Sequence, residues 1–229
     1  MHILVTNDDG VEAPGIEALA TVAATFGEVT VVAPTVGVSS CGHHVTTHRD
    51  LTIQQVRKGW YSVDGYPADC VRVGLTAIAD DFSLVLSGIN EGGNLGMDLL
   101  MSGTASAARE ATIRGIPGIA LSQYKARREP VQWPRAMDWV KKALEELLPR
   151  PAPADTFWNV NLPDPPQSLG VPQLIECFYD HEPLPLGFEL NEGKWRYISR
   201  YQTRPRSPSS DVELCFGGAM TFSAVPAFR

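Results

Sequence analysis

Residues 2–33 constrain the fold more than any other stretch. A run of aliphatic and β-branched residues, His2 to Thr6, gives way to the polar loop Asn7-Asp8-Asp9-Gly10. Pro14 opens an apolar-periodic segment that continues to about Phe26, Gly27 stops it, and Val29 to Ala33 supplies a second β-rich run. Proline suits the first turn of a helix, where its missing N–H would have had no partner, and glycine suits the stop. The sequence therefore predicts a strand, a helix and a strand. Such a crossover is right-handed, so the two strands lie parallel and their carboxyl ends share one edge.

The same grammar recurs downstream. Pro67 opens a helix over Asp69 to about Ala79, followed by a strand over Ser83 to Ser87 and the glycine-rich loop SGINEGGNLG. A helix begins near Thr104, runs through ASAAREATIR and ends at Gly115, after which Ile116 to Leu121 reads as a strand. Trp133 to Leu148 reads as a long helix closed by PRPAP, and Phe157 to Leu162 as a further core strand. The expected fold is α/β: a Rossmann-like, mainly parallel sheet flanked by helices, spanning residues 1–162. Residues 163–229 are rich in Pro, Tyr and Trp, with alternating stretches such as WRYIS and MTFSA that predict hairpins. This C-terminal extension suits subunit contact, or else packs on its own core.

Composition narrows the function. The chain has 229 residues, 44% of them hydrophobic and 20% charged, with a net charge of −7, which fits a globular protein and lacks the basic footprint of a duplex nucleic-acid binder. The opening residues lack the basic start and apolar run of a secretory signal, and no run of about 18 apolar residues could span a membrane. Cys41, Cys70, Cys177 and Cys215 are widely spaced and form no CxxC pair. The expectation is a cytoplasmic, reduced protein with no membrane contact.

In open α/β sheets ligands bind beyond the carboxyl ends of the strands. Three loops emerge there: TNDDG, APTVGVSSCGHHVT and SGINEGGNLGMDLLMSGT. Adjacent carboxylates repel by roughly 1 to 4 kcal/mol at a few ångströms, so Asp8 and Asp9 call for a cation, unless they only build a turn and cap the next helix. The acidic loop rules against a dinucleotide fold, which needs bare glycine amides after its first strand. Ser39 or Ser40, Asn90 and Asn94 complete an all-oxygen donor set that suits Mg²⁺, Mn²⁺ or Ca²⁺. A zinc site from His43, His44 and His48 is a rival, against which stands their β-branched context. Ser102-Gly103-Thr104 leads into a helix whose amides could hold a phosphate, or Ser102 could be a plain N-cap. Arg127-Arg128 could steer phosphate or be surface charge. Trp60, Tyr61 and Tyr66 could stack on a base or fill the core, and Cys41 could be reactive or structural.

Taken together, MHILVTNDDGVEAPGI, GYPADCVRVG, LVLSGINEGGNLG and MSGTASAAREA, with FWNVNLP and SSDVEL further on, resemble the successive signatures of the SurE (survival protein E) nucleotidases. The resemblance covers most of the chain. It implies a divalent-metal phosphatase acting on nucleoside 5′-monophosphates, and possibly 3′ esters, in a homodimer or tetramer joined by C-terminal arms. It implies that one cation per subunit, Mg²⁺ or Mn²⁺ ahead of Ca²⁺, is held by Asp8, Asp9, Ser39 and Asn90, that Asn94, Ser102, Gly103 and Thr104 surround the phosphate, and that Asp8, Asp9 and Asn94 are catalytic. The chain departs from the family pattern in the loop Pro34 to Ser40, where Thr35 stands for the usual Asp, and at Met101, where Tyr is usual. Two other chemistries fit an acidic strand-end loop: phosphotransfer through an aspartyl-phosphate on Asp8 or Asp9, and a non-catalytic metal or nucleotide sensor. His43 is a further candidate for contact with the leaving group or water.

Overall fold

The opening unit forms as its spacing predicts. β1 spans His2–Thr6, α1 Pro14–Ala23 and β2 Glu28–Pro34, and β1 pairs in parallel with β2, Ile3 beside Val29 and Val5 beside Val31. The helix stops three residues short of Phe26 in a tight turn, and Gly27 lies so close to Met1 that a Cβ would stand 2.2 Å from its carbonyl oxygen. The computed structural model describes residues 1–126, 129–164 and 170–228; the pair Arg127-Arg128 lies outside them.

An antiparallel hairpin that sequence reading passed over comes next, β3 (Ile53–Arg57) and β4 (Trp60–Val63). Its turn is Lys58-Gly59, with Gly59 at φ +73°, the left-handed conformation that two-residue hairpin loops require. β3 is exposed along its whole length, so it lacks the alternation that marks a half-buried strand. α2 (Pro67–Val73) runs on as one π turn over Gly74–Ile78, and β5 (Leu84–Glu91), a 3-10 turn (Gly96–Leu100), α3 (Gly103–Ile113), β6 (Gly118–Gln123), α4 (Trp133–Leu147) and β7 (Thr156–Leu162) follow. β6 begins two residues later than the apolar pattern suggests.

The extension divides in two. β9 (Phe188–Asn191) and β10 (Lys194–Tyr197, overlapping WRYIS) form the expected hairpin as a separate two-stranded sheet. β8 (Leu174–Glu176) and β11 (Met220–Pro226) do not form one: β11, which contains MTFSA, pairs antiparallel with β7 and parallel with β8 inside the main sheet. α5 (Asp211–Phe216) precedes it. The alternation of MTFSA mimics a half-exposed hairpin strand, but Met220, Thr221, Phe222 and Ser223 are all buried.

The nine strands run in the order β3-β4-β2-β1-β5-β6-β7-β11-β8, and β4 through β7 in that order are parallel neighbours. Alternate residues of β1 serve opposite faces. Ile3 and Val5 pack with Ile16 and Leu19 of α1 and Trp139 and Leu144 of α4, while Leu4 packs with Val71 of α2 and Ala107 and Ala111 of α3. Because the chain leaves β1 for β2 on one side and returns to β5 on the other, the strand order reverses between β1 and β5. A crevice opens at the carboxyl ends of strands at such a reversal. Among the described residues no helix is long and apolar enough to cross a membrane.

Candidate metal and phosphate centre

The loop after β1 is shaped by Asn7, not by the acids that follow it. Its buried side chain donates to the Gly10 carbonyl at 2.8 Å and accepts from the Gly10 N–H at 3.2 Å. Gly10 sits at φ +103°, and a Cβ there would meet the backbone of Val36 and Gly37. Helix α1 starts on Pro14 after Ala13, without a side-chain cap. The turn and the helix start are thus made without Asp8 or Asp9, which leaves the carboxylates without the structural task that the sequence allowed them. The loop after β2 is tied alongside: Val38 donates its N–H to the Asp8 carbonyl at 2.8 Å.

All three loops meet in one cleft of about 340 Å³. Asp8, Asp9, Ser39 and Asn90 line one part of it, together with Ser40 and Glu91. Asn90 spends its amide N–H on the Gly92 carbonyl at 2.8 Å, so its Oδ1 stays available as a donor atom to a cation. Asn94 and Ser102 also face the cleft. Gly103 and Thr104 stand behind the carboxylates: a Cβ on Gly103 would lie 2.8 Å from both the Asp8 Cβ and the Cys41 Sγ, and Thr104 donates its hydroxyl to Asp8 Oδ1 at 2.7 Å. Only glycine lets the start of α3 approach Asp8 this closely. Ser102 is the helix N-cap, accepting from the Ala105 N–H at 2.9 Å, and it borders the cleft as well.

Asn94 is held from behind by two residues of β7. Its N–H donates to Asn161 Oδ1 at 2.8 Å, and its carbonyl accepts from Asn159 Nδ2 at 2.9 Å and Asn161 Nδ2 at 3.0 Å. Its side-chain amide reaches Ser122 Oγ at 2.8 Å and Thr104 Oγ1 at 3.3 Å. Sequence reading noticed FWNVNLP only as a strand and a resemblance. Two polar residues facing one way in an otherwise apolar core strand were the available signal. The cleft's remaining wall, Asp98, Met101, Leu184 and Tyr201, also went unread apart from Met101. Tyr201 donates to Asp98 Oδ2 at 2.6 Å, and the buried Arg204 pairs with the same oxygen at 2.8 Å, so the extension closes one side of the site.

Electrostatics set the carboxylates apart from ordinary surface acids. Burial, with Asp9 adding repulsion, raises the Asp8 carboxyl from 3.8 to about 6 despite the bond from Thr104. Burial and the neighbouring Glu91 charge raise Asp9 too, against the bond from the Glu91 N–H to its Oδ2 at 3.1 Å. Among the described residues no Lys, Arg or His forms an ion pair with either acid. A buried acid beside a half-buried one, with no protein cation on either among the described residues, fits a bound metal ion, and the oxygen donors fit a hard one.

The rival readings fare differently. Among the described residues no three His, Cys, Asp or Glu side chains cluster so as to hold an ion. His43 pairs with Glu110 at 2.8 Å and His44 packs on Tyr66, ring centres 4.1 Å apart. His43 is absent from the cleft lining, as are Trp60, Tyr61 and Tyr66. Burial, then the Asp8 charge, pushes the Cys41 thiol up to about 11, which makes it a poor nucleophile at neutral pH.

A family model described as survival protein SurE matches residues 3–175. The chain belongs to the SurE family. A relative from Nostoc sp. (strain PCC 7120) is 44% identical over 95% of this chain and 96% of its own length. A protein named 5′-nucleotidase SurE from Pelobacter propionicus is 46% identical over 76% of this chain and 71% of its own length. The crystal structure of the SurE protein from Aquifex aeolicus superposes with a TM-score of 0.88 at 31% identity, covering 100% of this chain and 94% of that one. The SurE match takes in all three loops of the cleft, whereas Leu184 and Tyr201 lie beyond residue 175.

Proposed function

We propose that this SurE protein is a 5′-nucleotidase that hydrolyses nucleoside 5′-monophosphates to nucleoside and phosphate, using one divalent cation, Mg²⁺ or Mn²⁺, held by Asp8, Asp9, Ser39 and Asn90. The observation that carries the reading is the strand-end pair of buried Asp8 and half-buried Asp9, raised in pKa and, among the described residues, without a protein counter-ion, beside the opening turn of α3. The relatives named 5′-nucleotidase SurE support the choice of substrate.

When bound, the cation would neutralise the two carboxylates and polarise a phosphoryl oxygen. The chain's own residues do the positioning. Asp8 and Asp9 offer carboxylate oxygens, Ser39 a hydroxyl oxygen, and Asn90 the amide oxygen left free by its bond to Gly92. Ser102 satisfies the Ala105 amide, so the Gly103 N–H remains for a phosphate oxygen at the positive end of α3. Thr104 orients Asp8 through its hydroxyl. Asn94, clamped by Asn159 and Asn161 and with its side-chain amide donating to Ser122 and Thr104, borders the phosphate in the cleft. Asp98, Leu184 and Tyr201 form the wall that receives the nucleoside.

The hairpin β9–β10 exposes Phe188, Leu190, Trp195 and Tyr197. Several large apolar side chains on one projecting hairpin suit contact with a second copy of the chain, as a homodimer or tetramer. The function is tested by phosphate release from a panel of nucleoside 5′- and 3′-monophosphates with Mg²⁺, Mn²⁺ or a chelator. Release from 5′-monophosphates that stops on chelation is expected; release that persists in full chelation rules the metal reading out.

A further inference from the structure

The loop that carries Ser39 has no regular secondary structure between β2 and β3, yet it must hold that hydroxyl in register with carboxylates on the loop after β1. Upstream, Val38 is bonded to the Asp8 carbonyl. Downstream, the chain docks on the loop that leads into α3 and on α3 itself: Gly42 donates its N–H to the Met101 carbonyl at 2.9 Å, Cys41 lies against Gly103, and His43 Nε2 meets Glu110 Oε2 at 2.8 Å. Gly103 and Glu110 are two helical turns apart and so share one face of α3. That face therefore touches Asp8 at one end and His43 at the other.

Glu110 is suited to be an anchor. Its side chain is 1% exposed, and Arg72 Nε and Arg114 Nε both donate to Oε1, at 2.7 and 2.8 Å. Two guanidinium groups from α2 and from the end of α3 fix the carboxylate, leaving Oε2 for His43 and for a longer contact from Arg72 Nη2 at 3.4 Å. An acid buried this deeply and bonded to three basic side chains has far more partners than a solvent-facing helix residue needs. Neither the sequence reading nor the cleft assigns it a role.

We infer that the His43–Glu110 pair is a latch that positions the Ser39 loop against α3 and thereby sets the affinity of the cleft for its divalent cation. His43 and Glu110 are positioning residues here, since neither lines the cleft. The inference rests on the metal reading proposed above. By linkage, a latch that favours metal binding is itself favoured by the metal.

Calorimetric titration of Mn²⁺ into the metal-free full chain tests it, with His43→Ala and His43→Gln beside the wild type. Glutamine keeps an N–H donor at similar reach. His43→Ala is expected to weaken Mn²⁺ binding by about ten- to 150-fold, the range of a hydrogen bond to a charged group, and His43→Gln to recover most of it. A merely structural role would lower the melting temperature in chelator while leaving the Mn²⁺ affinity unchanged, and that result overturns the proposal. A second measurement needs no variant: Mn²⁺ should slow amide hydrogen exchange across residues 39–44 of the wild type, and no slowing there also overturns it. Wild-type protein that binds no Mn²⁺ removes the metal reading as well; equal binding by wild type and His43→Ala removes the latch alone.

Discussion

Asp8→Asn should stabilise the metal-free protein while disabling it. The folded chain holds the Asp8 carboxyl near 6 against an ordinary 3.8, burial being the main cause and Asp9 adding to it. A raised acid binds its proton more tightly in the folded state, so folded stability falls as pH rises from about 3.8 to about 6 and is flat above. At neutral pH the deficit from this one group is about 3 kcal/mol. Asparagine removes the charge, keeps the shape and still accepts from the Thr104 hydroxyl. In chelator at pH 7.5 the variant should gain about 2–3 kcal/mol, or about 4–12 °C in melting temperature for a chain of this size. The gain should shrink steadily below pH 6 and nearly vanish by pH 4. Thermal and urea denaturation followed by circular dichroism measure both quantities. A variant no more stable than the wild type in chelator, or a gain that does not change with pH, refutes the claim that Asp8 is a buried charge awaiting a cation.

Other consequences are as specific. Gly103→Ala should displace Asp8 or Cys41, since its methyl would stand 2.8 Å from each, and phosphate release should fall at least about a hundredfold, with a melting temperature within a few degrees of wild type. Asn161→Ala removes two bonds to the Asn94 backbone; kcat/KM should drop about tenfold and stability by about 2 kcal/mol, read by steady-state kinetics and urea titration. Glu110 titrates near 2 because bonds from His43, Arg72 and Arg114 outweigh the effect of its burial. The stability it contributes is present above about 4.5 and is lost as pH falls toward 2, so Glu110→Gln should destabilise the protein at pH 7 and progressively less below pH 4.

What the sequence made legible follows from what each stretch had to do locally. β1, α1 and β2 obey short-range rules of period, proline and glycine, and they form nearly as read. The carboxylates, Ser39, Asn90, Asn94 and Ser102 converge because strand direction fixes where their loops emerge, and parallel pairing of β1, β2 and β5 follows from the crossovers. β3 escaped notice because an exposed edge strand needs no alternation, and β11 was misread because small polar residues let an alternating strand be buried on both faces. The Asn159–Asn161 clamp on Asn94, the bonds of Arg204 and Tyr201 to Asp98 and the His43–Glu110 pair join residues 65 to 106 positions apart. Such pairs leave no local pattern, since neither partner has a reason for its place until the sheet brings them together.

The central claim is that Asp8 and Asp9 hold the cation on which hydrolysis depends. It is tested most directly by titrating Mn²⁺ into the metal-free protein and following the free ion by electron paramagnetic resonance, with phosphate release from a nucleoside 5′-monophosphate measured on the same samples. One ion per chain, with release rising in step with occupancy and both lost in Asp8→Asn and Asp9→Asn, is the predicted result. Binding of wild-type strength in either variant, or release that does not track occupancy, contradicts it.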